Sequence, residues 1–235
     1  MSLSHTLPFR TPALAPSILS CDLSAIASEV SQVLEAGSDI IHFDVMDNQF
    51  VPNLTFGPVV LQKLREAGVT APIDVHLMVA DVDRLLSDFI DAGATMISFH
   101  PHCSINPVNQ LSIIKTSGCL AGLAINPDQP ISVFEQYLPY CDFILLMSVF
   151  PGRSGQKFIS SVLEKSKALR AIIKRSQKNI LIEMDGGITQ NTIAQAHQAG
   201  VDIFVMGNGI FTQKNLQDKN PYSAVTNTLR ELLSN

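Results

Sequence analysis

Short apolar runs alternate with stretches of helical periodicity eight times along this chain. The runs are Ala13 to Leu19, Ile40 to Met46, Ile73 to Val79, Met96 to His100, Leu120 to Asn126, Phe143 to Val149, Asn179 to Asp185 and Ile203 to Gly207. Their length and β-branched or apolar content are those of buried strands. Between them, the spacing of Ile26, Val30, Val33 and Leu34 places apolar side chains on one face and predicts a helix over Leu23 to Gly37. Several such stretches end on a glycine just before the next strand, as at Gly37, Gly93 and Gly200, where left-handed backbone stops a helix. Alternating strands and helices give an α/β fold with parallel strands. Eight right-handed units without a break in composition favour a single (β/α)8 TIM barrel over an open doubly wound sheet. Residues 1–12 read as an N-terminal arm and 13–235 as the barrel domain. A polar loop from Thr212 to Pro221 leads to a closing helix, Ser223 to Leu233.

Composition narrows the function. A chain of 235 residues, 46% of them hydrophobic, buries roughly three quarters of its unfolded surface and needs no disulfide to hold a core. Cys21, Cys103, Cys119 and Cys141 are scattered and form no C-x-x-C pair, as expected for reduced thiols in the cytoplasm. The arm lacks the apolar stretch of a signal peptide, and no run approaches the roughly 18 to 20 residues that span a bilayer. The expectation is a soluble, cytoplasmic protein. A net charge of -5 and the absence of a Lys/Arg stripe exclude a nucleic-acid binder and point to a small-molecule partner. A homo-oligomer is left open.

Strand parity locates the chemistry. Side chains alternate faces along a strand, so His42, Asp44 and Met46 share one face, Asp74, His76 and Met78 another, and Glu183 pairs with Asp185. These polar sets should face the lumen near the C-terminal strand ends, joined by Ser17, where barrels place their active sites. Uncompensated imidazoles and carboxylates would be costly there. Spacing alone leaves two compensations open, a hydrogen-bonded core network or a divalent metal held by His42, Asp44, His76 and Asp185. Two nitrogens and two oxygens suit Zn²⁺, Fe²⁺, Co²⁺ or Mn²⁺. Glycine-rich loops at Gly152-Arg153-Ser154-Gly155, Gly186-Gly187 and Gly207-Asn208-Gly209 read either as tight turns or as phosphate sites, since glycine lets backbone N–H groups approach an anion.

The segments Leu14-Ala15-Pro16-Ser17-Ile18-Leu19-Ser20 and His42-Phe43-Asp44-Val45-Met46-Asp47, followed by Phe50-Val51-Pro52-Asn53, closely resemble the ribulose-phosphate 3-epimerase family. The resemblance continues through Asp74-Val75-His76-Leu77-Met78, Gly122-Leu123-Ala124-Ile125-Asn126-Pro127, Met147-Ser148-Val149, Gly155-Gln156-Lys157-Phe158 and Asp185-Gly186-Gly187, and covers about residues 13 to 211. It implies that His42, Asp44, His76 and Asp185 hold one divalent metal cation and that Asp44 and Asp185 are the catalytic acid and base. It further implies that Ser17, His76, Met46, Met78 and Met147 line the substrate, with the phosphate against Gly155, Gly187, Gly207 and Asn208. Four positions depart from the family pattern. Phe150 and Arg153 flank Pro-Gly where a polar residue and an aromatic are usual, Asn208 replaces a serine, and His102 replaces an acid. They bear on the phosphate grip and the sugar length.

The activity the resemblance implies is metal-dependent interconversion of D-ribulose 5-phosphate and D-xylulose 5-phosphate, by two-base proton transfer at C3 through an enediolate. Its alternatives are epimerisation of a six-carbon ketose phosphate such as allulose 6-phosphate, and a non-catalytic phosphosugar-binding barrel. A lysine-based aldolase is disfavoured because no lysine falls in a strand run.

Overall fold

The computed structural model describes residues 7–234. Of the arm, residues 1–6 lie outside them. Eight strands, β1 (Ala13–Pro16), β2 (Ile41–Met46), β3 (Ile73–Met78), β4 (Met96–Phe99), β5 (Leu120–Ile125), β6 (Phe143–Met147), β7 (Leu181–Asp185) and β8 (Ile203–Met206), form one parallel sheet in the order 1-8-7-6-5-4-3-2. A single parallel bridge, Ser17 to His42, and the N–H groups of Asp39 and Ile40 on the Leu14 carbonyl bring β1 against β2 and close the ring.

The helices are α1 (Ile26–Glu35), α2 (Pro58–Glu66), α3 (Val82–Asp91), α4 (Pro107–Thr116), α5 (Val162–Ser176), α6 (Ile193–Gln198), the short α7 (Asn208–Phe211) and α8 (Ser223–Ser234). Two sequence expectations change. The first helix opens as a 3₁₀ turn, Leu23–Ala25, capped by the Asp22 carboxylate, before α1 begins. The strand expected over Ala13 to Leu19 stops at Pro16, after which the chain turns into a 3₁₀ segment, Ile18–Ser20. Between β5 and β6 the link is two 3₁₀ segments, Ile131–Val133 and Glu135–Tyr140, with Pro139 inside the second. Outward strand residues such as Phe43, Val75, Ile97 and Ile182 pack under the helices in the main core.

The lumen is divided. At its lower end Ala13, Ala15, Ile40, Met96, Phe143, Ile203 and Val205 form an apolar plug against which Phe9 of the arm packs. Phe143 fills the space beside Gly122, where any side chain would collide with its ring. Above it, Ala124, Leu145 and Met147 line one wall, while His42, Asp44, Asp74, His76, Ser98 and Glu183 are buried on the other strands.

The foot of the barrel carries a fourfold repeat. Before each even strand stands an acceptor that takes the N–H of a neighbouring odd strand: Asp39 from Leu14 (2.8 Å), Thr95 from Ile73 (3.3 Å), Asp142 from Ala121 (3.0 Å) and Asp202 from Ile182 (2.8 Å). Each acceptor also holds a base from the helix after the preceding even strand: Arg230, Arg65, Lys115 and Arg170 respectively. Arg230 completes the circle across the seam, donating also to the carbonyls of Pro12 (2.8 Å) and Gly37 (2.9 Å). Replacing Arg230 with alanine removes its donors to the Pro12 carbonyl and leaves part-buried Asp39 and Gly37 with only Arg10 as a side-chain donor, and should cost about 2 kcal/mol. Lys63→Ala, which loses only an exposed pair with Glu66, should cost no more than about 0.5 kcal/mol. Urea unfolding of the two variants tests the contrast, and equal midpoints would remove the seam role.

Candidate active site

The β2–β3 register sets the site. Asp44 lies beside His76 and His42 beside Asp74, with Met46 beside Met78 above them. On the other side of the ring, Met147 lies beside Asp185. His42 and His76 are fully buried, Asp44 nearly so, and Asp185 is partly open.

His42 Nε2 and His76 Nδ1 each stand 3.4 Å from Asp44 Oδ1, and neither has a hydrogen-bond partner. One ligand atom from each of His42, Asp44, His76 and Asp185 lies within 4.8 Å of the others. Two orphaned ring nitrogens converging on one carboxylate oxygen, with a second carboxylate beside them, fit a divalent cation. The remaining Asp44 oxygen, Oδ2, accepts from Ser17 Oγ at 2.6 Å, and the Asp44 carbonyl accepts from Thr55 Oγ1 at 2.7 Å.

The electrostatics separate the two aspartates. Burial alone would raise the Asp44 carboxyl, but the charge and hydrogen bonds of His42 and His76 hold it well below the usual carboxylate range. Burial, then the Asp44 charge, pushes Asp185 up to about 7. Burial opposes a charge on His42 too, yet Asp44 and Asp74 outweigh it and keep that imidazole well above its usual value. Glu183, buried beneath and facing the Asp74 charge, is raised well above the carboxylate range.

A cleft opens over the donor set. Ser17, Asp44, Met46, Met78, Met147, Gly152, Arg153, Ser154, Gly155, Asp185, Gly186, Gly187, Gly207 and Asn208 all line it, whereas His42 and His76 lie beneath its floor. The site residues expected from the sequence are thus brought together. Gly187 has a positive φ, and a Cβ there would meet the Phe158 backbone nitrogen at 2.6 Å, so a side chain would push the β7 and β6 loops apart. Gln156 Nε2 ties the β6 loop by donating to the carbonyls of Phe150 (2.6 Å) and Arg153 (2.9 Å). Arg153 is the one cationic side chain lining the cleft among the described residues.

Sequence reasoning missed Ser20. It lines the cleft, and its hydroxyl is buried without a partner beside Gly207. It lies in a quoted motif, but in a turn, where strand parity assigns no direction.

A family model described as the ribulose-phosphate 3 epimerase family matches residues 13–211. A ribulose-phosphate 3-epimerase of Escherichia coli strain K12 is 50% identical over 200 residues, covering 85% of this chain and 89% of that protein. One from Buchnera aphidicola subsp. Acyrthosiphon pisum is 48% identical over 202 residues, covering 86% and 89%. Among solved structures, a 3-hexulose-6-phosphate synthase superposes with a TM-score of 0.65 at 15% identity, covering 94% of this chain and 99% of that one. A variant tryptophan synthase α-subunit from Pyrococcus furiosus gives 0.67 at 12%, covering 97% and 100%. These two share the fold.

Because Asp185 in the metal-free protein holds its proton up to about pH 7, a cation binding below that pH must displace it. The raised His42 adds a second proton to be released. Affinity for Zn²⁺ should therefore weaken by at least about tenfold per unit as pH falls from 7 to 5. Calorimetric titration in buffers of different ionisation enthalpy counts the protons, and a flat profile would contradict the assignment.

Proposed function

The chain belongs to the ribulose-phosphate 3-epimerase family and is an epimerase acting on a carbohydrate; on that footing we propose that it interconverts D-ribulose 5-phosphate and D-xylulose 5-phosphate, with Asp44 and Asp185 moving the C3 proton. The observation that carries the mechanism is the placement of these two carboxylates, from β2 and β7, around one cleft above two buried histidines.

Inversion next to a carbonyl needs a base on one face of the carbon and an acid on the other. Asp44 takes the proton in one direction and Asp185 returns one from the opposite side; the roles exchange in reverse. Ser17, bonded to Asp44 Oδ2, fixes which carboxylate oxygen faces the substrate. His42, Asp44, His76 and Asp185 would hold a divalent cation, which when bound would supply Lewis-acid stabilisation of the negative charge that develops on the carbonyl oxygen. Met46, Met78 and Met147 give the reacting carbons an apolar lining that excludes water. The phosphate binds at the far end, against Gly152, Ser154, Gly155, Gly186, Gly187, Gly207 and Asn208, with Ser20 as a further hydroxyl donor and Arg153 as its counter-charge. Binding energy gathered there orients the sugar at the aspartates.

Epimerase relatives near half identity weigh against a non-catalytic barrel. A lysine-based aldolase mechanism is disfavoured, since among the described residues no lysine lies in a strand. We place the activity in the cytoplasm, which suits the four free cysteines. No helix among the described residues is long and apolar enough to cross a membrane.

Ribulose 5-phosphate incubated in D₂O with the Zn²⁺-supplied protein should yield xylulose 5-phosphate deuterated at C3 by NMR, and a chelator should abolish this. Turnover of allulose 6-phosphate alone would reassign the sugar. Asp185→Asn should keep isotope exchange at C3 of one epimer while blocking inversion, and normal turnover would sink the two-base scheme. Arg153→Ala loses a charge-assisted contact and should raise KM about tenfold with kcat nearly unchanged. An unchanged KM takes Arg153 out of the phosphate site.

A further inference from the structure

Behind each histidine of the donor set stands a buried polar side chain that the reaction scheme does not use. We propose that Asp74 and His100 are positioning residues that present the two histidines to the cation through different ring nitrogens, Nε2 of His42 and Nδ1 of His76.

Asp74 is fully buried, and its Oδ2 lies 2.6 Å from His42 Nδ1. A carboxylate offers only acceptors, so Nδ1 carries the hydrogen. The ring is thereby turned so that Nε2, which has no partner, faces Asp44. Glu183 approaches the same Nδ1 only to 3.7 Å, too far to compete as the acceptor.

His76 is held differently. Its Nε2 lies 3.1 Å from Nε2 of His100, another fully buried imidazole. Two imidazoles sharing one hydrogen bond need one donor and one acceptor. If His100 donates, His76 carries its hydrogen on Nδ1 and loses the lone pair that faces Asp44. If His100 accepts, His76 is protonated on Nε2 and Nδ1 is free to ligate. The Phe50 ring, 4.8 Å from His100 between centroids, packs against that imidazole and limits its rotation.

The pattern is a carboxylate behind one ligand and a neutral imidazole behind the other. Partners of this kind orient a ligating histidine, and their loss typically costs 10–100-fold in metal affinity. The proposal rests on the metal reading above.

The test uses full-length protein loaded with Zn²⁺, with chelator competition for affinity and ¹⁵N NMR of labelled histidines for the ring nitrogen bound. In the unaltered protein His42 should show a protonated Nδ1 and a ligating Nε2, and His76 the reverse. Asp74→Leu and His100→Leu should each weaken Zn²⁺ binding about 10–100-fold. His100→Gln, whose side-chain carbonyl can still accept, should recover to within about threefold, and Asp74→Asn should bind better than Asp74→Leu. If the leucine variants do not fold, the spectrum and the amide variants decide. Zn²⁺ bound through the same nitrogen on both rings, or leucine variants with unchanged affinity, would overturn the proposal while leaving the metal reading standing. An unaltered protein that binds no divalent metal removes both.

Discussion

A closed parallel barrel sends every second side chain of each strand inward, and here that constraint buries a cluster of ionisable groups away from the surface. His42, Asp74, His76 and Glu183 are fully buried. Each would cost several kcal/mol if left alone. The β2–β3 register answers most of the cost by setting acid beside imidazole twice over, His42 with Asp74 and Asp44 with His76. Among the atoms left without a partner are two ring nitrogens, His42 Nε2 and His76 Nδ1, and they point at the same carboxylate oxygen. These two nitrogens lie beneath the floor of the cleft, while deeper in the lumen both Glu183 oxygens also lack a hydrogen-bond partner.

The two ends of the barrel divide the labour. The foot holds the ring together by a motif used four times, in which an acceptor before an even strand takes an odd strand's N–H and a base from a neighbouring helix. Its fourth copy, Asp39 with Arg230, falls on the seam where sheet pairing is thinnest. Further bonds from the last segment reach α1 beside it, from Asn220 to the Gln32 carbonyl and from Thr226 to that of Ala36. The C-terminal ends of the strands are left free for loops, and there the glycines, methionines and aspartates of the cleft collect. Stability at one face and chemistry at the other is the usual arrangement of this architecture.

The departures at the rim follow from the same division. Phe150 is half exposed and Arg153 exposed on the β6 loop, tied by Gln156 rather than by the core. A loop tied through its own carbonyls to one glutamine side chain can change its other side chains without disturbing strand register. Arg153 brings a cation to a cleft otherwise bounded by Asp44 and Asp185, while Asn208 reaches across to Gly155. Chain-specific character sits in these loops, and the His42, Asp44, His76 and Asp185 cluster below them keeps the family pattern.

The sequence by itself determined the strand count, the α/β class and the inward faces of β2, β3 and β7, because side-chain parity and helical periodicity are local properties of the chain. It also pointed to the residues that cluster beneath the cleft and to the glycines that line it, since the family motifs pass through them. Element ends were less legible: the 3₁₀ turns at Ile18–Ser20 and Leu23–Ala25 are too short for periodicity to separate from the strand and helix they adjoin. Only the tertiary structure decided that Asp74 stands behind His42 and His100 behind His76, that Ser20 turns into the cleft, and that Arg230 closes the seam. Those relations join residues tens or hundreds of positions apart, and they exist only once the ring has closed and the register between strands is set.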